Sequence, residues 1–313
     1  MKGKKPPTLA EKRRLSSAKK KNKKSAKAKT EKIPPQQSVD SLLNHYNGAR
    51  FSEAEVLSRQ LVREFPQDPF AFKVLGAILG RIGNLLESIE VNRQLISLTP
   101  EDADAHNNLG IVLEETGRFE EAEASYQLAI KLSPKFARAH FNLGGLLRGV
   151  GRLAEAEVCY KKAIQSEETY ADAHNNLGLL LQALGRYPEA EQRYLAALVI
   201  NADHPEVHAN LGATLHTLQR LNDAECSYRR AIELKPDFAG AYSNLGDVLK
   251  DQGRLEEAES SCKLAIALDP DLPEARNNLG LILQYQGRLE EAIASFERAV
   301  SLEPGYAVAE SQL

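Results

Sequence analysis

Four histidines, His106, His140, His174 and His208, stand 34 residues apart, and two residues after each comes an asparagine. The asparagine series runs on past the histidines, as Asn108, Asn142, Asn176, Asn210, Asn244 and Asn278. Two kinds of chemistry are open to such columns. Imidazoles bind metals and relay protons, whereas an amide both donates and accepts and can hold the N–H and C=O groups of an extended peptide.

Geometry disfavours the first kind. Packed helices lie roughly 8–10 Å apart, while two ligands of one zinc each sit about 2.0–2.1 Å from it, so neighbours in such a column share an ion only with difficulty. Phe72 and Tyr242 take the histidine's place in other repeats, so imidazole is expected there as a flat, buried filler with one nitrogen satisfied. The three cysteines, Cys159, Cys226 and Cys262, have the spacing of neither a disulfide framework nor a metal knuckle. They are expected as small buried fillers in a reducing compartment. No metal, no cofactor and no catalytic residue is expected, because the chain has no phosphate-binding glycine loop, nucleophile elbow or zinc signature.

The elements that must carry these columns follow from one recurrence, a glycine every 34 residues at Gly76, Gly110, Gly144, Gly178, Gly212, Gly246 and Gly280. A period of this size marks stacked supersecondary units, each burying its neighbour's apolar face. With that glycine as position 8, leucine fills position 7 throughout, and alanine recurs at positions 20 and 27, as at Ala122 and Ala129. Position 24 is bulky, with Tyr126, Tyr160, Tyr194, Tyr228 and Phe296, except for Asn92 and Cys262. Positions 4, 7, 8 and 11 trace the apolar stripe of one amphipathic helix, and 20, 24 and 27 that of a second. Glycine costs on the order of 1 kcal/mol relative to alanine inside a helix, so its recurrence requires close approach of the two.

Punctuation agrees. Gly83, Gly117, Gly151, Gly185, Gly253 and Gly287 at position 15 suit the left-handed residue that ends the first helix, and Gln219, which replaces them once, predicts a strained or rearranged turn. Pro100, Pro134, Pro236, Pro270 and Pro304 stop the second helix. Position 6, the asparagine, points almost opposite to the core stripe at 100° per residue. Asparagine is a mediocre helix former with no apolar area to contribute, so stability alone does not account for six of them.

The wording A-H-N-N-L-G, then E-E-A, an aromatic, A and P, resembles the tetratricopeptide repeat. The resemblance implies an all-α, right-handed α-solenoid (superhelix) of about eight helix-turn-helix repeats. These are expected at 35–68, 69–102, 103–136, 137–170, 171–204, 205–238, 239–272 and 273–306. The first is the weakest, with Leu42 in place of glycine. Residues 307–313 read as the start of a ninth repeat, predicting a chain that continues further in the full protein. An uncovered last repeat is expected to self-associate.

In this family the first helices line the concave face, which implies that the six asparagines line a groove. The asparagine ladder further resembles the repeat region of the O-linked N-acetylglucosamine transferases and related bacterial repeat proteins. Two functions follow as expectations: a scaffold binding an extended peptide segment, or the substrate-recruiting part of a larger glycosyltransferase. Chaperone-binding repeat modules, which clamp a carboxylate with lysines, are disfavoured, since position 12 carries Glu114, Arg148, Gln182, His216, Lys250 and Gln284. Phe141 and Tyr285 are candidate apolar anchors.

Charge is unevenly placed. Net charge is only −3, yet residues 1–34 hold 14 Lys or Arg against Glu11 and Glu31, leaving 26 basic against 41 acidic residues in the remainder. The basic arm, centred on Lys19, Lys20, Lys21, Lys23 and Lys24, is too polar to bury a core and is expected to be disordered. Its charge suits an anionic partner, nucleic acid or a membrane surface, but it lacks the interleaved aromatics that stack on bases, so a solvated tail is the favoured reading. The arm lacks the apolar stretch of a secretory signal, and no run approaches the ~18 apolar residues of a membrane span, which predicts a cytoplasmic protein.

Overall fold

A computed structural model describes residues 33–305 and 307–312; most of the basic arm, residues 1–32, lies outside the described residues. Among the described residues every regular element is a helix. Two compact units result, one running through Ser125 and one from Tyr126.

In the first unit α1 (Gln36–Asn47), α2 (Phe51–Glu64), α3 (Pro69–Arg81), α4 (Leu85–Leu98) and α5 (Ala103–Glu115) pack in sequence order, and α6 (Phe119–Leu132) begins. The core is a series of buried clusters, each shared by successive helices. Leu42, Ala54, Leu61, Ala71 and Ile78 form one cluster, so the leucine that stands where later repeats have glycine is itself fully buried. Phe72, Leu75, Leu79, Val91, Leu95 and Ala105 form the next. Asp68 and Asp102 cap α3 and α5, their carboxylates accepting from Phe70 N at 3.0 Å and Asp104 N at 2.9 Å. Those bonds satisfy amides that a helix start leaves orphaned.

The second unit continues from α6 through α7 (Ala137–Gly149), α8 (Leu153–Ser166), α9 (Ala171–Ala183), α10 (Tyr187–Ile200), α11 (Pro205–Thr217) and α12 (Leu221–Leu234). It ends with α13 (Ala239–Asp251), α14 (Leu255–Leu268), α15 (Pro273–Tyr285), α16 (Leu289–Leu302) and the short α17 (Ala307–Glu310). Odd-numbered helices are the first and even-numbered the second of each repeat. Within the second unit α7, α9, α11 and α13 each lie on their own second helix and beside the first helix of the next repeat.

The recurring glycine is where the pair closes. A Cβ placed on Gly178 would lie 2.6 Å from Tyr194 Cε1, a ring with no exposed surface that also donates from its hydroxyl to Gln182 Oε1 at 2.9 Å. The turn glycines are left-handed as expected. Gln219 adopts the same conformation, φ +61°, and makes the same turn bond, its N–H donating to His216 O at 2.9 Å, so that turn is strained and not rearranged. At the far end Ala309 of α17 is buried with Leu283, Ala292, Phe296 and Ala299, so the ninth-repeat residues already cover part of the eighth.

Candidate functional site

The histidine column is built into the stack. His140 Nε2 meets Pro134 O at 3.0 Å, His174 meets Glu168 O at 3.3 Å and His208 meets Ala202 O at 2.9 Å; in the first unit His106 meets Pro100 O at 2.9 Å. A carbonyl only accepts, so each Nε2 carries the hydrogen. Arg276, which holds the histidine's place in the last repeat, donates to Pro270 O in the same way. Each ring thus joins the start of a repeat to the end of the one before. Burial, partly opposed by those backbone bonds, lowers the pKa of both His140 and His174 and keeps the rings neutral. Among the described residues no group of His, Cys, Asp and Glu side chains converges as a metal site would require.

The asparagines occupy the first helices α7, α9, α11, α13 and α15 of the second unit and α5 of the first. They are half-buried, apart from Asn244, which is exposed. Asn210 Nδ2 donates to Asn175 Oδ1 of the preceding repeat at 3.1 Å, and Asn278 Nδ2 donates to Ser243 O at 3.3 Å and Ser243 Oγ at 3.1 Å. Position 6 therefore grips position 5 of the neighbour, a site buried at Ser243 and Asn277. Since Ser243 O can only accept, Asn278 must turn its NH₂ inward, which leaves Oδ1 as its uncommitted acceptor. Asn244 shares a hydrogen bond with the Tyr228 hydroxyl, and the Asn176 side chain makes no hydrogen bond among the described residues.

Around the ladder the surface changes from repeat to repeat. Lys250 Nζ sits 2.5 Å from Asp247 and 3.2 Å from Asp251, and His216 Nε2 donates to Asp251 at 2.8 Å. Against the burial that would lower it, the two carboxylates hold the Lys250 ammonium above the usual lysine range, so this cation is already occupied. Phe141 does not stand open as an anchor. Its ring packs 5.0 Å from that of Tyr170 and 5.9 Å from that of Tyr160, whereas Tyr285 is 70% exposed.

A second repeating network lies on the opposite helices. Arg186, Arg220, Arg254 and Arg288 each fork onto an acid three residues ahead, Glu189, Asp223, Glu257 and Glu291. Through Nη1 each also reaches the preceding repeat, at Glu157, Glu191, Glu225 and Glu259, over 2.6–2.9 Å. These residues recur with the same 34-residue period, the one signal in the sequence that could have found them. Charges on a helix surface are ordinarily solvated, so the period alone does not announce the pairing.

Tetratricopeptide repeat models match residues 103–136, 169–237 and 237–302, and a related repeat model matches 146–185, together more than half of the chain. The chain belongs to the tetratricopeptide repeat proteins. It is an all-α helical repeat solenoid and, as these proteins bind peptide or protein partners, a protein-interaction scaffold. Among solved structures it resembles a chain of the APC/C hetero-tetramer Cut9–Hcn1, with a TM-score of 0.63 and 16% identity over 88% of this chain and 54% of that one. PilF of Pseudomonas aeruginosa gives a TM-score of 0.59 and 22% identity over 68% of this chain and 96% of that chain. A tetratricopeptide repeat protein of Parabacteroides merdae gives 0.60 and 18% over 82% and 97%. At these identities the likeness is one of fold. No curated protein matches in sequence. No helix among the described residues is long and apolar enough to cross a membrane.

Proposed function

We propose that the first helices of the second unit hold an extended peptide segment of a partner protein through Asn142, Asn176, Asn210, Asn244 and Asn278, with Asn108 offering the same amide in the first unit. The observation that carries this reading is the direction of the amides. Bracing by the preceding repeat turns NH₂ of Asn210 and Asn278 inward and leaves their Oδ1 atoms to accept peptide N–H groups, while the Asn176 amide is uncommitted. An amide series at one helical position reads backbone and not side chains, so the grip is sequence-tolerant.

A random peptide library on a solid support tests this. Asn176→Ala and Asn244→Ala together should weaken capture across sequences alike and leave the thermal melt nearly unchanged. Unaltered capture, or a large loss of stability without specific loss of binding, would reject it.

The basic arm, residues 1–34, adds a contact with an anionic partner only if binding to nucleic acid or anionic vesicles falls with salt. A cytoplasmic location suits Cys159, Cys226 and Cys262, none of which is in a disulfide. Recruitment of substrates for a glycosyltransferase rests on the ladder's resemblance alone, since none of the matches named above is such an enzyme.

A further inference from the structure

Helix α10 departs from its counterparts on the side away from its partner helix. Every other repeat has a charged residue or glutamine at position 25, but α10 has Leu195 there, 46% exposed, and four residues on it has Val199, 88% exposed. Beside them Ile164, Ala196, Val199 and Ile200 line an open depression of about 540 Å³. The equivalent depression one repeat earlier is lined instead by Lys162, Gln165 and Ser166 beside Ile130 and His140. An exposed apolar stripe of this kind costs solubility and marks an interface.

The charges around the stripe identify what covers it. Lys161 on α8 and Arg229 on α12, which pair on their own helices with Glu157 and Glu225, hold the repeat position of Leu195, with Lys162 alongside; Glu233, paired with Arg230, holds that of Val199, and Glu167 and Glu168 follow the end of α8. The cations among these thus stand at one end of the patch and Glu167, Glu168 and Glu233 at the other. We propose that it docks a second copy of this chain, about a two-fold axis crossing α10 between Leu195 and Val199 at right angles to the helix. That operation lays α10 antiparallel on its copy. Arg229 then faces Glu233 of the other copy, Lys161 and Lys162 face its Glu167 and Glu168, and the apolar stripes meet in the centre. A parallel arrangement would set Lys161 against Arg229 instead. Such an isologous contact has an apolar core and a charged rim and closes at two subunits. It is distinct from association through the last repeat, where Leu289 and Ile293 are exposed.

Sedimentation velocity of the full chain from low to high micromolar concentration should show a monomer–dimer equilibrium that weakens with salt. Val199→Arg should raise the dissociation constant at least about tenfold, with an unchanged circular dichroism melt. Arg229→Glu should weaken the dimer, and adding Glu233→Arg to the same chain should restore it. A chain that stays monomeric throughout, a Val199→Arg variant that dimerises like the wild type, or a dimer lost only in Leu289→Arg would each overturn the proposal.

Discussion

The Arg288 guanidinium reaches back to Glu259 of the preceding repeat, its Nη1 lying 2.9 Å from both carboxylate oxygens. Lys263 also binds this carboxylate, at 2.7 Å, and Gln286 donates to it at 3.0 Å, so three donors from two repeats converge on one acid. The pair is a joint between two repeats that Asn278 also links through Ser243.

Acid should loosen that joint. The Lys263 hydrogen bond, opposed by burial and reinforced by Gln286 and Arg288, lowers the Glu259 carboxyl to about 2 from an ordinary value near 4.5. A carboxyl depressed in the fold stabilises above its unfolded pKa, and that contribution is lost as pH falls from about 4.5 toward 2. Glu259→Gln is therefore expected to lower the melting temperature at neutral pH and to make its decline between pH 5 and 2.5 shallower, read by circular dichroism. An identical slope in wild type and variant counts against the joint.

Gly178→Ala sets two effects against each other. Alanine favours the helix by up to about 1 kcal/mol, but its methyl would stand 2.6 Å from the immobile Tyr194 ring, and overpacking of that kind costs about 1–3 kcal/mol. Net destabilisation is expected, and combining it with Tyr194→Leu should give a coupling energy of opposite sign in a double-mutant cycle of urea melts. Simple additivity would show that the ring does not set the spacing.

At the α11–α12 turn the expected change is a gain. Gln219 holds φ +61°, a conformation costing a side-chain-bearing residue about 1–2 kcal/mol, of which the greater flexibility of unfolded glycine takes back up to about 1. Gln219→Gly should thus stabilise by about 0.5–1 kcal/mol in urea melts. A neutral or negative effect would mean that the turn carries no strain.

These cases divide what the sequence discloses from what it does not. Gly178 and Tyr194 are related by a spacing within one repeat, and the helical angle between stripes was enough to pair them. Asn210 is different. Its column was plain, and a wheel drawn on its own helix turned it outward, yet its amide spends a bond on Asn175, one position off in the preceding repeat. A wheel knows only one partner, and first helices here have two, the second helix of their own repeat and the neighbouring first helix. Phe141 failed as an open anchor for the same reason, because Tyr170 belongs to the loop leading into the following repeat. The arginine joints went unread because nothing in a single helix distinguishes an arginine forked to the acid three residues ahead from one whose remaining nitrogen crosses to another unit.

The histidines give the last prediction. His140 and His174 are buried with pKa values lowered from the ordinary 6.5, chiefly by burial, while the unfolded chain takes up protons normally. The unfolded state then binds more protons below pH about 6.5, so stability is complete above that value and falls as pH drops through it, a window separate from that of Glu259. In His140→Gln/His174→Gln the glutamine can still donate an N–H but cannot titrate, so the loss of stability between pH 6.5 and 5 should flatten, although some stability is forfeited at pH 7. An undiminished slope in the double variant would place the acid sensitivity elsewhere.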